Sequence, residues 1–187
     1  MRRFWDLLDR RRDDLCDDAP VESVTSTNRG AIREGLTRLE LRTVFAPVVG
    51  RFAAERAEPR HVFALRELVQ QMRDAEDDTA ALARIALEFW AEVVSATNNL
   101  GFTLAFDSLA VSYGSVLEHL HHLLAAELRA VDEYDLLVDA IAAQKGYAAA
   151  ERAAGIVAHG ASAIERVVAA LDAAQGEGAR AQRKPIV

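Results

Sequence analysis

The segment LEFWAEVVSATNNLGF, from Leu87 to Phe102, is the part of the chain that decides its fold class. Its apolar residues recur at helical spacing, two adjacent asparagines interrupt that pattern, and the pattern then resumes. Because asparagine tolerates the left-handed backbone conformation, Asn98 or Asn99 is expected to end one helix before the next begins. The segment therefore predicts two consecutive helices joined by a short turn.

The same helical period continues on both sides of this segment. Steps of four and three residues place one apolar stripe on a long central helix: Phe102, Phe106, Leu109, Tyr113, Val116, Leu120 and Leu123. Residues 31–56 predict another long helix, which Pro47 should kink because its ring removes a backbone donor. Since no alternating strand pattern of useful length occurs, the chain is predicted to be an all-α, antiparallel bundle of about six or seven helices.

Helix ends are marked by acidic residues and glycine. The acidic run from Asp74 to Asp78 predicts a loop and a cap for the helix that carries Phe89 and Trp90. Further on, Asp132 is expected to cap a helix whose Leu137, Ala140 and Ile141 face inward, and Gly146 is expected to stop it. A last helix should then begin near Tyr147.

These patterns divide the chain into three parts. Residues 1–29 predict a short basic connecting helix and an acidic, aperiodic linker, and residues 30–173 predict the bundle. Residues 174–187 predict a disordered tail. A linker implies a neighbour on its far side, so a further domain is expected to be missing from this sequence.

Composition and charge exclude several classes of function. The 187 residues are 51% hydrophobic and carry a formal net charge of −7, so the chain lacks the basic field that duplex DNA or an anionic membrane requires. No apolar run reaches the length of a membrane span. The single cysteine, Cys16, allows no internal disulfide, which favours a cytoplasmic setting.

Catalytic and metal-binding motifs are weak. Glu118 and His121 form a Glu-x-x-His pair, which di-iron bundles use in two copies, but the second candidate, Glu58 to His61, spans Pro59. Cys16 lies among aspartates that disfavour its thiolate, and no nucleophile elbow or glycine-rich phosphate loop occurs. The chain is therefore predicted not to be an enzyme, with a helical metal-dependent enzyme and a structural interaction bundle kept as alternatives.

Polar residues that interrupt the apolar stripes have a second interpretation. An asparagine, together with Arg42, Tyr113 and His159, could point into a cavity inside the bundle. A few polar groups among apolar walls are what a small-molecule site needs. The sequence thus leaves open whether the asparagines end a helix, line a site, or do both.

Three segments in order resemble a known family. They are TRLELRTVFAPVVGRFAAERA (Thr37 to Ala57), EFWAEVVSATNN (Glu88 to Asn99) and EYDLLVDAIAAQKGYAAAERAAGIVAHG (Glu133 to Gly160). Together they resemble the C-terminal effector-binding domain of FadR-like GntR transcription regulators, over residues 30–168. The resemblance implies a homodimer, a small-molecule effector, and DNA binding only through an N-terminal winged helix-turn-helix that is expected to be missing here.

Departures from the family pattern bear on the ligand. The metal-binding subgroup has an aspartate and three histidines, and the matching positions here are Ala86, Trp90, Tyr134 and His159. One imidazole cannot hold a metal that needs three or four donors, so no metal and no cofactor are predicted. The resemblance then implies an acyl-CoA or a related organic acid as effector. The candidate effector-binding residues are Arg42, Trp90, Asn98, Phe106, Tyr113, Tyr134 and His159.

Overall fold

The structure is a computed structural model that describes residues 41–75, 78–120 and 124–160, with no side chains described for residues 111–120. The predictions for residues 1–29 and 174–187 lie outside the described residues, as does Cys16. The side chains of Glu118 and His121 also lie outside them, so the Glu-x-x-His pair stays a sequence-level observation.

Seven helices and no strand make up the described residues, which confirms the all-α prediction. They are α1 (residues 41–56), α2 (Pro59–Ala75), α3 (Thr79–Ala96), α4 (Leu100–Leu120), α5 (Ala125–Leu128), α6 (Val131–Ala142) and α7 (residues 146–160). Pro47 lies inside α1, and Pro59 occupies the first turn of α2, where its missing N–H costs no helical hydrogen bond. Among the described helices, none is long and apolar enough to cross a membrane.

The two adjacent asparagines separate α3 from α4, as the sequence predicts. Asn98 has a φ of 47°, in the left-handed region, and its N–H donates to the Ser95 carbonyl at 3.0 Å. The side-chain oxygen of Asn99 then accepts a hydrogen bond of 2.9 Å from the N–H of Gly101 in the first turn of α4. The first asparagine therefore ends one helix and the second begins the next.

The capping prediction is confirmed for α3 and wrong for α6. The Asp78 carboxylate accepts from the N–H groups of Ala80 and Ala81 at 3.1 and 3.0 Å. In α6 the capping position is Ala130, without a side-chain hydrogen bond, and Asp132 lies in the first turn. There its charge still interacts favourably with the positive end of the helix dipole, but it does not cap the helix, which begins two residues earlier than expected.

Gly146 does not end α6. That helix ends at Ala142, and Gln144 takes the left-handed conformation with a φ of 56°. The N–H of Lys145 donates to the Ala140 carbonyl at 2.9 Å, which completes the turn one residue before Gly146. Gly146 instead begins α7.

The core is built around α3, which packs against α2, α4 and α5, while α6 packs against α2. Phe89 of α3 is fully buried and lies edge-on to the Tyr134 ring of α6, with 5.0 Å between ring centroids. The predicted inward face of α6 is confirmed, because Leu137 and Ile141 are both buried. Other helices thus cover α3 on most sides, which is why apolar residues occur on most of its faces.

Ion pairs join α2 to α6 at the surface. Arg66 donates to Asp139 at 2.8 Å, and Arg73 donates to Asp135 at 2.7 Å. By accepting this hydrogen bond, Asp135 raises the pKa of the Arg73 guanidinium above its ordinary value. Arginine is already protonated at neutral pH, so no pH dependence of stability follows, and such exposed pairs add little to stability.

Helices α1 and α7 cross closely at Gly50, which leads to a test with a matched control. A Cβ on Gly50 would lie 2.9 Å from the Cβ of Ala153 and 3.0 Å from the Ala149 carbonyl oxygen, whereas one on Gly155 would meet no atom within 4 Å. We expect Gly50→Ala to destabilise the fold by about 1–3 kcal/mol through overpacking. Gly155→Ala should stabilise α7 by about 0.5–1 kcal/mol. Urea denaturation measures both, and stabilisation by both changes would contradict the close crossing.

Candidate functional site

A cavity of about 60 Å³ lies between α1, α3, α4 and α5. Its walls are mainly apolar, formed by Phe45, Ala46, Ala83, Ala86, Leu87, Trp90, Phe106, Leu109, Ala110, Leu124 and Leu128. Arg42 and Glu127 are the charged residues among the described lining residues. Since one water needs roughly 10–15 Å³ by this measure, the cavity has room for roughly four to six water-sized groups.

Helical spacing explains how α3 and α4 form the walls. On α3, Ala83, Ala86 and Trp90 follow at steps of three and four, and therefore lie on one face. On α4, Phe106 and Ala110 are four residues apart and meet the same space. The small side chains of Ala83, Ala86 and Ala110 leave the cavity space unfilled, and the larger rings of Trp90 and Phe106 enclose it.

The charged end of the cavity is a two-pronged ion pair between helices that are distant in sequence. Arg42 Nη1 donates to Glu127 Oε2 at 3.0 Å, and Arg42 Nη2 also pairs with Glu127 Oε1. The Glu127 side chain is 1% exposed and that of Arg42 is 15% exposed. A guanidinium that holds a carboxylate by both oxygens in an apolar setting is a ready-made carboxylate receptor, here filled by the protein's own side chain.

Glu127 also lies against the end of α7. A Cβ on Gly160 would lie 2.8 Å from Leu124 Cδ2 and would overlap the Glu127 carboxylate. The glycine therefore lets α7 approach the charged end of the cavity. A movement of the Glu127 side chain would therefore change the packing between α5 and α7 at Gly160.

Trp90 lines the cavity with its ring and carries an unsatisfied polar atom that is itself buried. The residue is 8% exposed, and its ring lies edge-on to Phe89 with 6.0 Å between centroids. Its indole Nε1 is buried, and within the described part of the chain it has no hydrogen-bond partner. Buried N–H groups are nearly always satisfied in native proteins, so this donor calls for an explanation.

A larger groove, of about 550 Å³, lies between α3 and α4 beside the cavity and shares Leu87 and Phe106 with it. Its lining includes three acidic residues, Glu88, Glu92 and Asp107. No lysine or arginine occurs among its described lining residues. The groove is therefore unfavourable for a polyanionic ligand.

A buried pair underlies one wall of the groove. His61 Nδ1 of α2 lies 2.8 Å from Glu92 Oε1 of α3, and both side chains are about nine-tenths buried. The contact ties α2 to α3 and satisfies the Glu92 carboxylate. We assign it a structural role, because His61 lines neither the cavity nor the groove.

The structure brings together three of the seven candidate residues. Arg42, Trp90 and Phe106 line the cavity. Asn98 is exposed and lines the neighbouring groove. The others are placed elsewhere: Tyr134 is buried against Phe89, His159 is exposed on α7, and the Tyr113 side chain lies outside the described residues.

Glu127 is the important cavity residue that sequence reasoning missed. It lies in the run LLAAELRA, where it is the one carboxylate between Leu124 and Leu128. A lone glutamate on a helix usually faces solvent, so nothing in its spacing sets it apart. The useful signal is its position between two apolar residues that both proved to be buried.

The positions that the resemblance matches to metal ligands bear on the predicted absence of a metal. Ala86 and Trp90 line the cavity and offer no metal-binding atom of the usual kind. Among the described residues, no three His, Cys, Asp or Glu side chains come together in a group that could hold a metal ion. The absence of a metal stays a prediction.

Comparison with known proteins places this geometry in context. The pattern of the FCD domain family matches residues 38–159. The HTH-type transcriptional regulator Mce2R of Mycobacterium tuberculosis is 30% identical over 103 residues, which cover 55% of this chain and 42% of that protein. An HTH-type transcriptional regulator of Mycobacterium bovis matches to the same extent. The chain thus spans less than half the length of these relatives.

Two solved structures share the fold. A GntR protein of Streptococcus agalactiae superposes with a TM-score of 0.58 at 17% identity, over 70% of this chain and 59% of that one. McbR/YncC of E. coli superposes with a TM-score of 0.61 at 19% identity, over 71% of this chain and 64% of that one. At these identities the likeness concerns the fold alone.

Proposed function

The chain belongs to the FCD domain family, and on that premise we propose that it senses a small organic acid and dimerises as part of a GntR-type transcription regulator. FCD domains are parts of transcription regulators rather than an enzyme family. The observation that carries the proposal is the apolar cavity with its Arg42–Glu127 pair, because it already holds one carboxylate in the way an effector carboxylate would be held.

The size and charge of the site favour an organic acid over an acyl-CoA. Room for roughly four to six water-sized groups suits a short acid and excludes most of an acyl-CoA. Coenzyme A would have to extend along the neighbouring groove, where Glu88, Glu92 and Asp107 would repel its phosphates. We therefore place the acyl-CoA second and a short acid with an apolar body first.

The proposed mechanism is an exchange of carboxylates. An effector carboxylate would take the place of Glu127 on Arg42, while its apolar body would pack against Trp90 and Phe106. Glu127 would have to turn towards solvent in this exchange, because a buried carboxylate without a partner is strongly unfavourable. Breaking the link between α1 and α5 would move Glu127 at its contact with Gly160, and so would couple the ligand to α7. The effector can shift the population of domain arrangements by no more than its differential affinity for them.

Dimerisation is proposed from the two apolar faces of α4. Phe102 and Phe106 pack against the core, yet Leu100 is 72% exposed and Leu104 is 62% exposed on the same helix. A helix that is apolar on both sides is usually buried on both sides. We propose a second copy of this chain as the occupant of the outer face, in keeping with the homodimer implied by the family.

DNA binding is proposed to reside outside the matched segment. The chain carries a net charge of −7, which disfavours direct contact with phosphates. The relatives are named as HTH-type regulators, and the match covers 42% of their length. A helix-turn-helix segment in the remaining part would read DNA, and the sensing domain would set its geometry in the dimer.

We test the proposal by native mass spectrometry and thermal unfolding with butyrate, isovalerate and isocaproate. The expected results are a dimer mass and a stabilisation by at least one acid. Ligand at a hundred times its dissociation constant adds about 2.7 kcal/mol of stability, which for a chain of this size raises Tm by roughly 5–10 °C. The uncharged amide of the same acid should have no effect, since Arg42 selects the carboxylate.

The matched control compares two arginines. In the double variant Arg42→Met/Glu127→Leu the stabilisation by acid should vanish, whereas Arg152→Met, which removes an exposed arginine 3.4 Å from Glu133, should retain it. Equal stabilisation by acid and amide would overturn the proposed role of Arg42. A response to octanoyl-CoA but to no short acid would restore the acyl-CoA alternative.

A further inference from the structure

The acidic groove between α3 and α4 is a recognition surface that the proposed acid-sensing function does not use. Its volume of about 550 Å³ lies in the range of whole ligand pockets. Asp107 is exposed, and within the described part of the chain it forms no ion pair. Glu88 lies 3.6 Å from Arg84, which does not line the groove. The apolar lining residues are Leu87, Ala91, Val94, Leu100 and Phe106. A partner that fits therefore combines positive charge with apolar side chains.

The segment RRFWDLLDRRR, residues 2–12, has that combination. It carries five of the chain's 22 basic residues against two aspartates. Phe4, Leu7 and Leu8 are spaced at i, i+3 and i+4, which predicts one apolar face on a helix. Basic amphipathic helices of this kind are a recurring type of ligand for apolar grooves. The segment lies outside the described residues.

We propose that residues 2–12 of this chain dock as a helix in the groove between α3 and α4, with their apolar residues on its apolar wall and their arginines beside Glu88 and Asp107. Both parts of the contact are complementary, apolar with apolar and positive with negative. The groove shares Leu87 and Phe106 with the cavity, so the docked segment would lie beside the effector site. The inference goes beyond acid sensing and does not depend on it.

The chain is long enough for the segment to reach the groove. Arg42, at the start of α1, lines the cavity that borders on the groove. Residues 13–40 span up to roughly 70 Å when residues 31–40 form the helix predicted from the sequence and the rest is extended, whereas a small domain is about 30 Å across. Because segment and groove belong to one chain, their effective concentration favours docking even when the contact itself is weak.

Other occupants fit the groove less well. In a two-fold contact through the groove, the carboxylates of one copy would face those of the other. The basic residues near the end of the sequence are followed by Pro185 and include no aromatic neighbour, so they lack a helical apolar face. Of the two leucines on the outer face of α4 proposed for dimerisation, Leu100 borders the groove and Leu104 does not line it. The segment and a second copy can therefore occupy neighbouring surfaces.

Trp5 reports directly on the segment, because the sequence contains only one other tryptophan. In the full chain with Trp90→Phe, Trp5 is the sole indole emitter, and quenching by acrylamide measures its accessibility. We expect a lower quenching constant and emission at shorter wavelength than in the same protein unfolded in urea. The physical reason is that apolar groove residues cover part of the docked segment.

A charge reversal in the groove tests the contact. Glu88→Lys/Asp107→Lys replaces attraction by repulsion and should shift the docking equilibrium roughly 5–30-fold towards the free segment. The matched control, Glu67→Lys/Glu151→Lys, changes the net charge equally at exposed positions of α2 and α7 that do not line the groove, and should keep Trp5 protected. Sodium chloride at about 1 M, where the screening length is about 3 Å, should weaken the protection without any substitution.

Cleavage by an arginine-specific protease gives a readout that leaves Trp90 in place. Cleavage after residues 10–12 requires the segment to leave the groove, so its rate follows the population of the free segment. We expect faster cleavage there in Glu88→Lys/Asp107→Lys than in the wild type, and no change in Glu67→Lys/Glu151→Lys.

Three results would overturn the docking. The first is equal quenching of Trp5 in the folded and the unfolded protein. The second is protection that persists in Glu88→Lys/Asp107→Lys, because the segment would then be held elsewhere. The third is protection that appears only with phosphatidylglycerol vesicles, which would assign the segment to a membrane surface. None of them affects acid binding by the cavity, so failure of this inference is distinguishable from failure of the proposed function.

Discussion

Replacement of Arg42 by methionine is expected to destabilise the fold by about 3–5 kcal/mol, because it leaves the Glu127 carboxylate buried without its partner. Glu127 is 1% exposed, and its described surroundings in the cavity are apolar apart from Arg42. A charge in such a setting cannot recover its lost solvation. Urea denaturation followed by far-UV circular dichroism measures the change in the free energy of unfolding.

The double variant Arg42→Met/Glu127→Leu separates the cost of the unpaired charge from the value of the pair. Buried ion pairs replaced by apolar residues of similar volume are often neutral or stabilising, so the double variant should regain most of the stability lost in Arg42→Met. Arg152→Met should change stability by no more than about 0.5 kcal/mol, because that arginine is exposed. A loss below about 1 kcal/mol in Arg42→Met would show that Glu127 reaches water and that the charged end of the cavity is open.

This result bears on function as well as on stability. If the double variant Arg42→Met/Glu127→Leu is as stable as the wild type, the ion pair is not needed for folding. The pair would then be best explained as a receptor for carboxylates, held closed by Glu127 until an effector arrives. Loss of acid binding in the same stable variant would tie the two observations together.

Phe89→Ala is the second change with a large expected effect, again about 3–5 kcal/mol. Phe89 is fully buried in α3 and lies edge-on to both Tyr134 and Trp90, with centroid distances of 5.0 and 6.0 Å. Removing the ring deletes its packing contacts and leaves a cavity, which the surrounding helices can close only in part. The free energy of unfolding in urea is the measurement.

Phe63→Ala supplies the control for Phe89→Ala. Phe63 is 68% exposed on α2, so its truncation should change stability by about 0.5 kcal/mol or less. Similar losses for the two variants would contradict the central position of Phe89. Because Phe89 supports the ring of Trp90, Phe89→Ala should also weaken acid binding, and Phe63→Ala should not.

Local features of the fold were predictable where one residue decides the outcome. The carboxylate of Asp78 and the left-handed Asn98 act within a few residues of the backbone they cap, so their roles follow from the sequence. Asp132 and Gly146 show the limit of the same reasoning. Both residue types suit a helix end, but a shift of one or two residues in the boundary leaves the end to Ala130 and Gln144.

The candidate site was predictable in part. Arg42, Trp90 and Phe106 were named from the sequence, and the structure places them on one cavity. His159 was named because it interrupts the apolar pattern and matches a ligand position of the family, yet α7 presents it to solvent and instead turns the neighbouring Gly160 towards Glu127. One residue along a helix is a rotation of about 100°, so an error of one position moves a side chain from the interior to the surface.

The sequence by itself determined the all-α class, the break between α3 and α4, the inward face of α6 and the family resemblance, because each depends on spacing along the chain. Only the tertiary structure decided that Arg42 meets Glu127, which is 85 residues away, and that the two residues lie at a cavity lined by Trp90 and Phe106. Periodicity tells which face of a helix is buried, but not which buried residue of another helix it meets. That choice is made by how the helices pack, and it brings a buried ion pair to an otherwise apolar cavity.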